Sequence, residues 1–203
     1  MSDEFDVVAE PSHPLDGAAF AAGPGPMLAM RPVGDCTRLS LRIAKKNLAK
    51  ATAAFGQDLP AKIGDMSSTA GKTALCLGPD EWLLLAPEDE GEAIAARFAK
   101  LGEQTTHSLV DVGHRTVGID VSGPLAALAL NSGCPLDLDN LPIGGCARTI
   151  LDKAEIVLMR LEREHYRLEI MRSFAQFVWN FLAIAGGEFE GDSSPLDRTG
   201  ASH

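Results

Sequence analysis

The stretch Leu109-Val-Asp111-Val-Gly113-His114-Arg115-Thr-Val117-Gly-Ile119-Asp-Val121-Ser-Gly123-Pro124-Leu-Ala-Ala-Leu-Ala-Leu-Asn131-Ser-Gly133-Cys-Pro135 holds two strand signals and a helix signal in the middle of the chain. Val117, Ile119 and Val121 alternate with Thr116, Gly118 and Asp120, the period of two of a half-buried strand. Gly123 frees the backbone for a turn. Pro124 has its φ fixed and lacks an N–H, which suits the first helical position, where that N–H would be unbonded anyway. The helix that follows is expected to stop at Ser132-Gly133. Residues 107–112 and 116–121 are expected to be paired strands.

Working outward, residues 36–43 alternate with Leu39, Leu41 and Ile43 on one face, a first strand. Residues 45–55 place Leu48, Ala51, Thr52 and Phe55 at helical spacing before Gly56, a helix. Two short apolar runs, 73–77 and 81–86, flank Gly78-Pro79-Asp80 and predict a hairpin. Glu88, Asp89, Glu90 and Glu92 then cluster where a helix N-terminus favours negative charge, and Ile94, Arg97, Phe98 and Leu101 mark its face up to Gly102. Strands over 147–151, 155–161 and 166–171 precede a helix over 173–185, with a Ser173/Gln176 capping-box pattern, an apolar stripe from Phe174 to Ala185 and a stop at Gly186-Gly187.

The strand-strand-helix order recurs. A hairpin carrying Trp82 leads into one helix and a hairpin carrying Tyr166 into another, roughly 80 residues later. The fold class expected is α+β, two similar lobes of antiparallel strands with packed helices, over about 35–105 and 106–187, with their intertwining left open. Residues 1–34, with Pro11, Pro14, Pro24, Pro26 and Pro32, read as an extended non-regular arm ordered by lying along another surface. Residues 188–203 read as a polar disordered tail.

The chain has 203 residues, 45% of them hydrophobic, enough for a sizeable core. A formal charge of −10 argues against nucleic acid and against an anionic membrane surface. Cys36, Cys76, Cys134 and Cys146 form no metal-ligand or disulfide pattern. With no apolar run near the roughly 18 to 20 residues that span a bilayer and no basic leader, the expected location is the cytoplasm.

Four constellations bear on function. Ala70-Gly71-Lys72-Thr73 resembles the end of a phosphate loop, but Met66 stands where its first glycine belongs, so nucleotide binding is rejected. Asp111, His114 and Arg115 put an acid, an imidazole and a guanidinium in one turn; lacking an accompanying nucleophile, they suit a solvated connection or a partner-facing surface better than catalysis. Cys146 beside Arg148 is either a reactive thiol or a packing residue, and packing is preferred. Arg160, Arg163, Arg167 and Arg172, interleaved with Glu162, Glu164 and Glu169, read as a solvated hairpin face. Trp82 and Trp179 read as core.

Six segments then carry a resemblance: Leu77-Gly-Pro-Asp-Glu-Trp-Leu-Leu-Leu-Ala-Pro87, Val110-Asp-Val-Gly-His-Arg115, Val121-Ser-Gly-Pro-Leu-Ala126, Ser132-Gly-Cys-Pro-Leu-Asp-Leu138, Cys146-Ala-Arg-Thr149 and Arg172-Ser-Phe-Ala175. Together, in this order, they resemble the gamma subunits of heterotetrameric sarcosine oxidase. The resemblance implies the folate-binding fold of the glycine-cleavage aminomethyltransferase, also found at the N-terminus of a tRNA-modifying GTPase. It implies a non-catalytic subunit, with alpha, beta and delta subunits as partners, in a complex that oxidatively demethylates sarcosine to glycine. FAD, FMN, NAD and tetrahydrofolate would lie on other subunits, with no catalytic residue, cofactor or metal on this chain. Aminomethyltransferases place a catalytic acidic pair just before the segment matching 73–77, where this chain has Gly71-Lys72, so folate chemistry on this chain alone is not expected. Asp111, His114, Arg115 and Arg148 are the interface candidates. The alternative is a stand-alone folate-binding one-carbon protein using Asp111, His114 and Arg148.

Overall fold

Leu39, Leu41 and Ile43 all turn to one face of a strand and are almost wholly buried, as their alternation demands. The computed structural model describes residues 13–22 and 27–188. In chain order its elements are β1 (Phe20–Ala22), β2 (Leu28–Pro32), β3 (Thr37–Ile43), α1 (Leu48–Phe55), β4 (Met66–Thr69), β5 (Lys72–Cys76), β6 (Glu81–Ala86), α2 (Gly91–Gly102) and β7 (His107–Asp111). The second half continues with β8 (Thr116–Ser122), α3 (Ala126–Asn131), β9 (Cys146–Leu151), β10 (Ala154–Glu162), β11 (His165–Met171) and α4 (Ala175–Glu188).

The strands form two antiparallel sheets, ordered β4-β5-β6-β3-β7 and β1-β2-β8-β11-β10-β9. Each sheet buries one face under two helices. Leu39, Leu41, Trp82 and Leu84 meet Phe55, Ile94 and Phe98; Val117, Ile119, Val121, Tyr166 and Leu168 meet Leu130, Val178 and Leu182. The opposite faces meet over a third cluster, Leu75, Leu83, Leu85, Val112, Cys146 and Met159. β6 is therefore buried along its whole length.

Both halves repeat one topology, strand-helix-three strands-helix, with the order β4-β5-β6-β3 matched by β9-β10-β11-β8. A single shift of numbering carries Trp82 onto Tyr166, the 3-10 turn Glu88–Glu90 onto Arg172–Phe174, Gly91 onto Ala175 and Gly102 onto Gly186. The halves are stitched by a reciprocal pair of backbone bonds: the Met66 N–H donates to the Gly144 carbonyl at 3.0 Å, and the Cys146 N–H to the Gly64 carbonyl at 2.7 Å. Gly64 and Gly144 both have positive φ, 91° and 79°, so this crossing uses glycine in both halves.

Several expectations change. Residues 107–112 and 116–121 do not pair with each other: β7 pairs β3 in the first sheet and β8 pairs β2 and β11 in the second. The 3-10 turn Gly113–Arg115 carries the chain from one sheet to the other. The segment read as a non-regular arm contributes β1 and β2, with Leu15, Leu28 and Met30 buried in the second core; its residues 1–12 and 23–26 lie outside the described residues. Prolines mask these strands, because Pro32 lies at the end of β2 on a register position that turns away from β8. β4 was not expected, since Met66-Ser-Ser-Thr69 lacks an apolar alternation. The Gly-Lys-Thr fragment is the hairpin turn between β4 and β5. Thr69 faces Lys72, and Ala70 and Gly71 have φ of 52° and 80°, the left-handed pair that suits strand twist. α4 runs through Gly186 and Gly187 to Glu188, and the remainder of the predicted tail lies outside the described residues. Gly186 is needed for close approach rather than termination: a Cβ there would lie 2.6 Å from Leu28. The turn before α4 starts without a side-chain cap, and Gln176 donates instead to Asn180 at 3.0 Å.

Candidate functional site

Asp111 ends β7 and is exposed, and its Oδ1 accepts the Gly113 N–H at 2.7 Å, which shapes the turn that follows. His114 and Arg115 stand on that turn, both exposed. The four interface candidates separate here. Asp111 and His114 line a cleft of about 340 Å³ with Asp35, Glu88 and Glu92. Arg115 and Arg148 line a different one of about 270 Å³ between the sheets, floored by Leu83, Val112 and Val157.

Arg148, on β9, reaches across to β6 and donates to both Glu81 oxygens, at 2.6 and 3.3 Å. Glu81, only 9% exposed, also accepts Arg42 at 3.0 Å. The hydrogen bonds that Arg148 donates to Glu81 hold its guanidinium above its ordinary pKa against the opposing effect of burial. The sequence offered Arg148 as a pocket or interface group; the structure makes it first a clamp between the two sheets.

A second clamp was invisible in the sequence. Arg38 on β3 donates through Nε to Glu169 on β11 at 2.6 Å, with the side chains 2% and 1% exposed. Glu169 also accepts Arg167 Nε at 2.9 Å, and Arg167 approaches Cys36 Sγ at 3.7 Å. Gly118 makes this possible, since a Cβ there would lie 2.8 Å from Val33 and 3.2 Å from Arg38 Nη2. The run from Arg160 to Arg172 is thus not a solvated face throughout. Glu169 is buried, and Arg160 donates to the carbonyls of Leu138, Asp139, Leu141 and Arg163 while lying 5.6 Å from the Tyr166 ring centroid. Interleaved charges look alike in sequence whether they face water or a partner far along the chain.

Cys146 settles as a packing residue. It is 1% exposed, and burial, with the neighbouring Cys76 and Asp65 adding to it, pushes its thiol up to about 12. Burial likewise raises Cys36 and Cys76. Among the described residues, no group of three or more His, Cys, Asp or Glu side chains is placed to hold a metal ion, and no helix is long and apolar enough to cross a membrane.

Comparison with known proteins follows this geometry. The model of the sarcosine oxidase, gamma subunit family matches residues 43–188. The chain is similar to the sarcosine oxidase subunit gamma of Corynebacterium sp. strain U-96, 33% identical over 165 residues covering 79% of this chain and 80% of the relative. It is also similar to that of Corynebacterium sp. strain P-1, 28% identical over 194 residues covering 93% and 95%. In structure it resembles a chain of the heterotetrameric sarcosine oxidase from Corynebacterium sp. U-96 in complex with pyrrole 2-carboxylate, with TM-score 0.78, 28% identity and coverage of 86% of this chain and 91% of that one. The glycine cleavage system aminomethyltransferase T of Bartonella henselae shares the fold, with TM-score 0.60 at 14% identity, covering 75% of this chain and 44% of that one.

Proposed function

The chain belongs to the sarcosine oxidase gamma subunit family, and from this premise we infer that it works as the non-catalytic subunit of a heterotetrameric sarcosine oxidase. One observation carries the reading: the family match runs from the end of β3 to α4, so it takes in four strands of each sheet, all four helices and the crossing between the sheets. The likeness to a chain of a solved heterotetrameric oxidase extends over nearly the whole of both chains. We assign the partners as alpha, beta and delta subunits, the chemistry as oxidative demethylation of sarcosine on those subunits, and FAD, FMN, NAD and tetrahydrofolate to them as well. The working location is the cytoplasm.

What this chain supplies is shape. Arg38–Glu169 and Arg148–Glu81 clamp the two sheets to each other, and a preorganised surface loses little entropy on docking. The turn with Asp111, His114 and Arg115 remains a proposed contact surface. Co-expression with the alpha, beta and delta subunits tests the assignment: all four chains are expected to elute together on a sizing column, and elution of this chain by itself would refute it. Calorimetry with tetrahydrofolate is expected to be silent for the isolated chain; saturable micromolar binding would favour a stand-alone folate protein.

A further inference from the structure

Aligning the two sheets by their common order exposes one position that is filled in one and bare in the other. β2 lies beside β8 as β7 lies beside β3, and the match is residue by residue: Met30 faces Val121 as Leu109 faces Leu41. The Val33 N–H donates to Gly118 as the Val112 N–H donates to Arg38. Alternation then points the backbone groups of Met30 away from β8 and those of Leu109 away from β3. Those of Met30 face Phe20 of β1. Beyond β7, among the described residues, no strand follows.

The side chains tell the same story. Met30 is 2% exposed beneath β1, whereas Leu109 is half-buried. At Gly186 a Cβ would lie 2.6 Å from Leu28 and 2.9 Å from Phe20; at the matching Gly102 it would meet only His107, at 3.5 Å. β7 also carries few of the features that guard a free edge. It is short and ends in Asp111, but it has no proline and no lysine, the Asp111 carboxylate is turned to the Gly113 N–H, and Val110 is 52% exposed.

We propose that an extended segment of a catalytic partner subunit adds to the first sheet along β7, taking the place that β1 holds in the second sheet. It presents a large apolar or aromatic side chain opposite Leu109, over Gly102, where Phe20 sits opposite Met30 and over Gly186. Main-chain bonds supply the affinity and that one pocket the register. The proposal rests on the reading of this chain as an oxidase subunit.

The experiment is hydrogen exchange on the isolated chain and on the co-expressed complex, with Val110→Lys as the variant. The outward-facing N–H groups of His107, Leu109 and Asp111 are expected to exchange tenfold or more slowly in the complex, about the effect of 1.4 kcal/mol of added protection. Val110→Lys is expected to melt as the wild type when isolated and to bind the partners about tenfold more weakly. A wild-type complex that assembles with exchange at His107, Leu109 and Asp111 unchanged overturns the strand addition while leaving the subunit reading standing. Protection of the Leu109 N–H already present in the isolated chain, from a second copy or from its own termini, overturns the assigned occupant, whereas Ser108 and Val110 are protected by β3 in either state. Failure of the wild type to assemble at all removes the subunit reading and the proposal with it.

Discussion

Trp82 in the first half and Tyr166 in the second stand at the same place in the same strand order, both wholly buried, yet their polar tips are handled differently. Trp82 donates its indole N–H to the Pro60 carbonyl at 2.8 Å. The Tyr166 hydroxyl is buried with no hydrogen-bond partner among the described residues, its pKa raised by burial, and Arg160 stacks over the ring. Arg38 and Gly118 form a second such pair: the same register position holds a buried guanidinium in one half and, in the other, the space that admits it. A repeated topology therefore fixes where side chains stand but not how each buried polar group is satisfied. The halves fit because they differ.

The comparison breaks hardest at Glu169. Glu169→Ala leaves Arg38 buried without its counter-charge and is expected to cost about 3–5 kcal/mol in urea unfolding, while Glu155→Ala, on an exposed side chain, changes little. Equal effects would show that the buried clamp is unimportant. Next come the paired glycines. Gly186→Ala is expected to cost about 1–3 kcal/mol because Leu28 and Phe20 must move, whereas Gly102→Ala stays within about 0.5 kcal/mol in the isolated chain; comparable melting shifts would refute the difference in packing. Gly71→Ala strains the first hairpin at φ 80° and is expected to cost about 1 kcal/mol by the same assay. Smallest near neutral pH, and growing only in alkali, is the effect of a buried thiol. The native Cys146 thiol ionises near 12 and the unfolded one near 9, so between those values the unfolded state binds fewer protons and stability falls as pH rises; below 9 this group contributes no slope. Kinetics of thiol labelling at pH 8 should find Cys36, the partly exposed cysteine, modified before Cys146. The reverse order would contradict the burial.

Most strands and all four helices were legible because their signals are local: alternation in 36–43 and 116–121, the Gly78-Pro79-Asp80 turn, Gly56 closing α1 at φ 80°. Pairing was not. Strands 107–111 and 116–122 are neighbours in sequence, yet each pairs in a different sheet, and nothing local records that choice. β4 and the N-terminal strands escaped because polar residues and prolines hide their period. At the site, the exposed turn from Asp111 to Arg115 could be picked out, but Glu169 could not: its partner Arg38 is far back in the chain, and a buried carboxylate leaves the same letters as a wet one.

The reciprocal bonds of Met66 with Gly144 and of Cys146 with Gly64 have a kinetic meaning. They join points that only a large loop can bring together, so the crossing forms late, after local hairpins, and folding should be slow for a chain of this size. It also leaves no place to divide the gene: a fragment ending before β7 lacks a strand of its own sheet and half of every cross-link, so denaturation should proceed in one transition rather than two.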